Sequence, residues 1–258
     1  MSTKADDRKK QLRDEFIEAR GYWSPFWDSL LDLDENFFEA YTAFSSVPWR
    51  SGPLDPKIKE FVYIAVDAAA THLYVPGIRQ HVKQALALGA TAAEIMEVLE
   101  LTATLGIHAC NCGVPILLEE LAAAGQPVDF EVPLSERQEE IKAEFTEKRG
   151  YWHQFWNEIL VLDPDFFEAY THFSSVPWVS GVLEPKVKEL IYTAFDVSAT
   201  HLYTPGLRLH IKNAIGYGAT REEILEVMEL ASVIGIHACT VGVPILVEEL
   251  AAAGSADA

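Results

Sequence analysis

Histidine, aspartate, glutamate and tyrosine recur in this chain at matched positions, and together they could move protons. Glu60, Tyr63, Asp67, His72, Tyr74, His81 and His108 reappear as Glu189, Tyr192, Asp196, His201, Tyr203, His210 and His237, each 129 residues later. Imidazole exchanges a proton near neutral pH, and a nearby carboxylate sets its tautomer and basicity, so such a set suits general acid–base catalysis. His81 and His210 are the expected proton-transfer groups. Each falls on the apolar stripe of its segment, among Ile78, Val82 and Ala85 or among Leu207, Ile211 and Ala214. An inward imidazole needs a partner at each nitrogen. Glu60 and Asp67, with their copies Glu189 and Asp196, share one side of the preceding segment with Tyr63 and Tyr192, where they can orient or tune the imidazoles.

The remaining candidates are substrate ligands. His72 and His201 fall where that segment turns, beside Tyr74 and Tyr203. His108 and His237 stand in the motif GIHAC, where capping or loop hydrogen bonds explain them equally well. Arg79 and Arg208 can hold a substrate carboxylate only if the pocket lies on the outer face of their helix or a neighbouring chain reaches it. His153 and His172 have Ser24 and Ala43 as counterparts, so they read as surface or packing residues.

No HxH, HxxxH or HExxH spacing argues for a metal, so no metal and no other cofactor is expected. A metal-dependent enzyme using the His/Asp cluster stays open as an alternative, as does a ligand-binding or scaffold protein without catalysis. No GxSxG elbow and no glycine-rich phosphate loop is present. Cys110, Cys112 and Cys239 form no CxxC and read as packing residues.

These residues must be placed by helices. Shifting the chain by 129 positions aligns residues 20–125 with 149–254 without a gap, and 68 of 106 pairs are identical. The chain is thus an all-α tandem repeat, with a first unit at 11–125, a linker at 126–139 and a second unit at 140–254. Residues 1–10 are charged and expected to fray. Helical periodicity runs through Asp34–Phe44 and Asp163–Phe173, and SSVPW is expected to stop each helix there. Asp55-Pro56 and Glu184-Pro185 start the next helices. Tyr-x-Pro-Gly reads as a turn before a helix at Ile78, and Thr91/Glu94 and Thr220/Glu223 read as capping boxes. The apolar run from Ile95 to Leu121 contains Gly106 and Pro115, which predicts two helices or a kink.

A net charge of −19 disfavours nucleic acid and anionic membrane surfaces as partners. The N-terminal MSTKADDRKK has no apolar stretch of a secretory signal, and acidic or His residues break every apolar run, so a cytoplasmic protein without a membrane span is expected. A small carboxylated molecule remains a fitting partner, since it needs only a local positive site.

The pattern KE, an apolar run, His, then KxAxxxGATxxEIxEV resembles the carboxymuconolactone decarboxylase and alkylhydroperoxidase D-like superfamily. In the second copy it stands as KELIYTAFDVSATHLYTPGLRLHIKNAIGYGATREEILEVMELASVIG. The resemblance implies an all-α unit that assembles into six-unit rings, so a trimer of tandem chains. It places the family's motif glutamate at Glu60 and Glu189 and its histidine at His81 and His210. The peroxidase branch requires a CxxC just before that histidine; here the stretch is cysteine-free, which argues against thiol peroxidase activity. What the resemblance leaves is a lyase or decarboxylase acting on a small carboxylated metabolite such as a ring-cleavage lactone.

Overall fold

The structure, a computed structural model, describes residues 4–256. The described residues contain helices and no strand. In the first repeat these are α1 (Lys4–Arg20), α2 (Phe26–Leu33), α3 (Glu35–Ser45), α4 (Val47–Ser51), α5 (Pro56–Ala68), α6 (Val75–Ala87) and α7 (Ala92–Ala103). A 3₁₀ turn at Thr104–Ile107 then leads into α8 (His108–Ala123). The second repeat gives α9 (Glu136–Arg149), α10 (Phe155–Leu162), α11 (Pro164–Val179), α12 (Pro185–Val197), α13 (Thr204–Gly216) and α14 (Arg221–Ser232). It too closes with a 3₁₀ turn, Val233–Ile236, and a last helix, α15 (His237–Ala256).

Local chemistry sets most boundaries. Asp34 and Asp163 cap α3 and α11 by accepting the amides of Phe37 and Phe166, both at 2.9 Å. Asp55 accepts from Lys57 N at 2.8 Å, with Pro56 in the first turn of α5 where its missing N–H costs little. Both Thr–Glu capping boxes form, heading α7 and α14.

Four expectations change. SSVPW ends α3 at Ser45 as expected, but α4 follows at once from Val47 with Pro48 in its first turn, and in the second copy α11 runs through Pro177. The carbonyls of Pro48 and Pro177 are each taken by a buried lysine, Lys59 or Lys188, at 2.6 Å, which ties these turns to the next helix. Pro76 and Gly77 belong to the first turn of α6 rather than to a turn before it. The charged N-terminal segment is helical from Lys4, because Leu12 and Phe16 are buried against α2 and α3; residues 1–3 lie outside the described ones. Finally, α9 starts inside the expected linker, under a Ser135–Gln138 capping box.

The repeats do not fold as separate beads. α5 lies against α12 at the centre, where Phe61, Ile64 and Leu101 share one core cluster with Leu183, Ile191 and Phe195. The ends are exchanged: α15 packs on α2, and α8 packs on α10. Buried ion pairs seal the exchange. Lys59 Nζ meets Glu226 at 2.7 Å and Lys188 Nζ meets Glu97 at 2.9 Å, each pair joining one repeat to the other. Removing one partner of such a pair strands a buried charge and costs about 3–5 kcal/mol.

The helical runs Ala92–Ala123 and Arg221–Ala253 are long and apolar enough to cross a membrane, contrary to the expectation that no segment is. Here they carry His108, His237, Glu97 and Glu226 into contacts with the opposite repeat.

Candidate active sites

Exchange of the ends creates two related cavities, each built from both repeats. The first is narrow, with about 20 Å³ open to a water-sized guest. Arg20 of α1, Tyr63 of α5 and His81 of α6 line it from the first repeat; His237 and Thr240 of α15 line it from the second. The second cavity, also about 20 Å³, is lined by Arg149, Tyr192 and His210, with His108 and Asn111 entering from the first repeat. Space of that size suits a water-sized guest, so anything larger must displace lining side chains.

The glutamate–histidine pair forms as the sequence suggests. His81 Nδ1 lies 2.6 Å from Glu60 Oε2, and His210 Nδ1 lies 2.6 Å from Glu189 Oε2, both buried. A full turn-by-turn burial of α5, from Lys59 to Asp67, holds Glu60 at 1% exposure. Tyr63 and Tyr192 stack on the two imidazoles at 4.4 Å between ring centroids. With Nδ1–H given to the carboxylate, Nε2 is the nitrogen left for chemistry.

Asp67 faces that nitrogen, with Oδ2 at 4.0 Å from His81 Nε2. It is 1% exposed, and neither carboxylate oxygen has a hydrogen bond. Burial pushes its pKa up to about 7, against the pull of His81 and with the help of Glu60. Asp196 is in the same state: burial, and then Glu189, push it to about 8. Gly77 and Gly206 lie so close that a Cβ at either would run into the aspartate carboxylate and the ring of Tyr74 or Tyr203.

The turn between α5 and α6 brings in His72. Its neighbour Leu73 has φ +50°, and Leu202 has φ +51°, a left-handed backbone that costs a leucine about 1–3 kcal/mol. The strain appears in both copies and directs His72 Nε2 to His237 Nδ1 at 2.8 Å, and His201 Nε2 to His108 Nδ1 at 2.7 Å. Tyr74 stacks on His237 and Tyr203 on His108, both at 3.8 Å. Burial lowers His108 and His237 to about 3 and draws His72 and His201 below the usual range, which favours the neutral imidazole in each.

The candidates thus assemble, but with exchanged partners: His237 joins Asp67 and His72, while His108 joins Asp196 and His201. Arg79 and Arg208 do not join them. Both are exposed and line neither cavity, because the pocket lies on the inner face of their helix. The cavity arginines are instead Arg20 and Arg149, which sequence reasoning missed. Arg20 is 4% exposed, its guanidinium 5.3 Å from the Trp49 and Tyr63 rings, with Nε and Nη1 unpaired. The available signal was the repeat alignment itself, whose first matched pair is Arg20 and Arg149. Cys110 and Cys239 pack beside the aromatic clusters, and the cysteines are free.

The model of the carboxymuconolactone decarboxylase family matches residues 35–114 and 164–252. The chain belongs to the carboxymuconolactone decarboxylase family. No curated protein matches it. Among solved structures, a protein from Burkholderia xenovorans LB400, provisionally named a gamma-carboxymuconolactone decarboxylase subunit, is similar at 53% identity and a TM-score of 0.92. That similarity covers 95% of this chain and 98% of the other. The two family matches contain the Glu60–His81 and Glu189–His210 pairs, whereas Arg20 and Arg149 lie outside them.

Proposed function

We propose that this member of the carboxymuconolactone decarboxylase family is an acid–base lyase acting on a small carboxylated metabolite, such as a ring-cleavage lactone. The observation that carries the reading is the buried Glu60–His81 pair lining a cavity that also holds Arg20, two of whose guanidinium nitrogens have no partner. Decarboxylation leaves the electrons of the broken C–C bond on an enolate-like carbon. That carbon needs one proton, and its charge needs a fixed positive group. His81, oriented by Glu60, takes a second proton from solvent at Nε2 and delivers that proton to the carbon, returning to the neutral Nδ1–H form. Arg20 holds the carboxylate or the developing oxyanion. His210, Glu189 and Arg149 take the same roles in the second cavity. The cysteine-free stretch ahead of each histidine argues against a peroxidase cycle.

A screen of lactones and β-keto acids for CO2 release, run beside the His81→Gln/His210→Gln double variant, tests the reading. Turnover lost with helical content and melting temperature retained supports it. A variant that melts earlier yet turns over at the wild-type rate overturns it. The site is expected within a cytoplasmic homo-oligomer, a trimer of tandem chains, in line with exposed Ile116, Leu117, Ile245, Leu246 and Leu250 on α8 and α15. Light scattering that gives a monomer at micromolar concentration removes that part.

A further inference from the structure

We propose that each exchanged triad, Asp67–His72–His237 and Asp196–His201–His108, binds one divalent transition-metal ion. In the first, His72 Nε2 and His237 Nδ1 are 2.8 Å apart and stand 3.9 and 3.8 Å from Asp67 Oδ1. A triangle with those sides has a circumscribed radius of about 2.1 Å, so one point lies at a metal–ligand distance from all three atoms. In the second, the sides are 2.7, 3.7 and 4.0 Å, and the radius is again about 2.1 Å. The same triangle recurs in both copies, as the shared ATHLY and GIHAC motifs require.

Both aspartates are buried and their oxygens lack any hydrogen bond, a costly state that a dication at the centre would relieve. Tyr74 and Tyr203, stacked on His237 and His108, fix the planes of those rings. Two imidazole nitrogens and one carboxylate oxygen suit Zn2+, Co2+, Ni2+ or Fe2+ better than Mg2+ or Ca2+, which favour oxygen alone. Sequence spacing conceals the set because His72 and His237 are 165 residues apart.

The proposed role of the ion deepens the acid–base reading of the same cavities and rests on it. His237 lines the first cavity, so an ion there would polarise a substrate carboxylate or carbonyl beside His81 Nε2. Binding itself is measured without turnover. Tag-free protein is stripped with a chelator and titrated with Co2+, following visible absorption and calorimetric stoichiometry. Two ions per chain are expected for the native protein and for His81→Gln. One is expected for His237→Ala and for the near-isosteric Asp67→Asn, and none for the His108→Ala/His237→Ala variant. That loss at His237 removes the site of the first repeat is the signature of the exchanged ends. No binding at micromolar Co2+, or unchanged stoichiometry in Asp67→Asn, overturns the proposal and leaves a water-bridged network. Metal bound by a protein whose His81→Gln/His210→Gln variant keeps full activity would uphold the metal site and sink the proton-transfer reading.

Discussion

The two cavities share their histidines and carboxylates but differ in how their cations and anions are tied. Arg149 gives Nη1 to Ser174 O at 3.3 Å and Nη2 to Tyr192 Oη at 3.2 Å. Arg20, its counterpart, leaves Nε and Nη1 unpaired, whereas Arg149 leaves only Nε. Glu189 accepts from Asn213 at 3.2 Å as well as from His210, whereas Gln84 stands at Asn213's place in the first copy. The second cavity is the more fully bonded, through Arg149 Nη1 and Asn213; both arginines keep Nε free for an anion, and Arg20 keeps Nη1 as well. An unpaired buried charge is a cost to the fold that a bound carboxylate can repay, so duplication lets one site favour binding while its twin favours stability.

The largest effect expected is on the histidines. Loss of both His81 and His210 to glutamine should lower turnover by about 10²–10⁴, the usual worth of a general acid–base group. If the first cavity is the more receptive, steady-state kinetics should show His81→Gln losing more activity than His210→Gln. Equal losses would erase the contrast.

Next come the aspartates. Asp67 has its pKa raised from 3.8 to about 7, so the folded chain holds a proton that the unfolded chain has released above about pH 4. Stability contributed by this group therefore falls as pH rises from about 4 to 7. A shift of that size has a ceiling of about 4 kcal/mol, reduced by relaxation to roughly 2–3. In chelator-treated protein, Asp67→Asn should raise the melting temperature at pH 8 and lose the advantage as pH approaches 4. Asp196, raised to about 8, should behave alike, with its gain complete only at higher pH. A variant less stable at pH 8 would show that the carboxylate is paired after all.

The arginines separate the cavities most directly. With His210→Gln silencing the second site, Arg20→Gln should raise KM for a carboxylate substrate by about 10–100-fold, the worth of a charged hydrogen bond. With His81→Gln silencing the first, Arg149→Gln should lower melting temperature more than it raises KM. Identical KM effects would mean that the two guanidinium groups meet substrate in the same way. Smallest of all, Asn213→Ala removes one hydrogen bond to Glu189, worth about 0.5–1.5 kcal/mol, and should slow the second cavity a few-fold while sparing the first.

What could be read from the chain alone was whatever rests on short separations. Helical period, the Asp34 and Asp163 caps, the Thr–Glu boxes and the Glu60–His81 pairing all lie within a few turns or one hairpin of helices. Repeat identity doubled each of those signals. Even at short range, Pro48 and Pro177 misled: Pro48 sits in the first turn of a new helix, where its missing N–H costs little, and Pro177 lies inside α11. Only the tertiary structure decided which repeat completes which site. Two identical GIHAC motifs could each have served their own half, and nothing in local periodicity distinguishes the choices. Packing did: α15 lies on α2 and α8 on α10, bringing His237 to Asp67 and His108 to Asp196 across the shared core. The same exchange buries Arg20 and Arg149 at the cavities and leaves Arg79 and Arg208 in solvent, since burial is a property of the assembled helices and not of residue type.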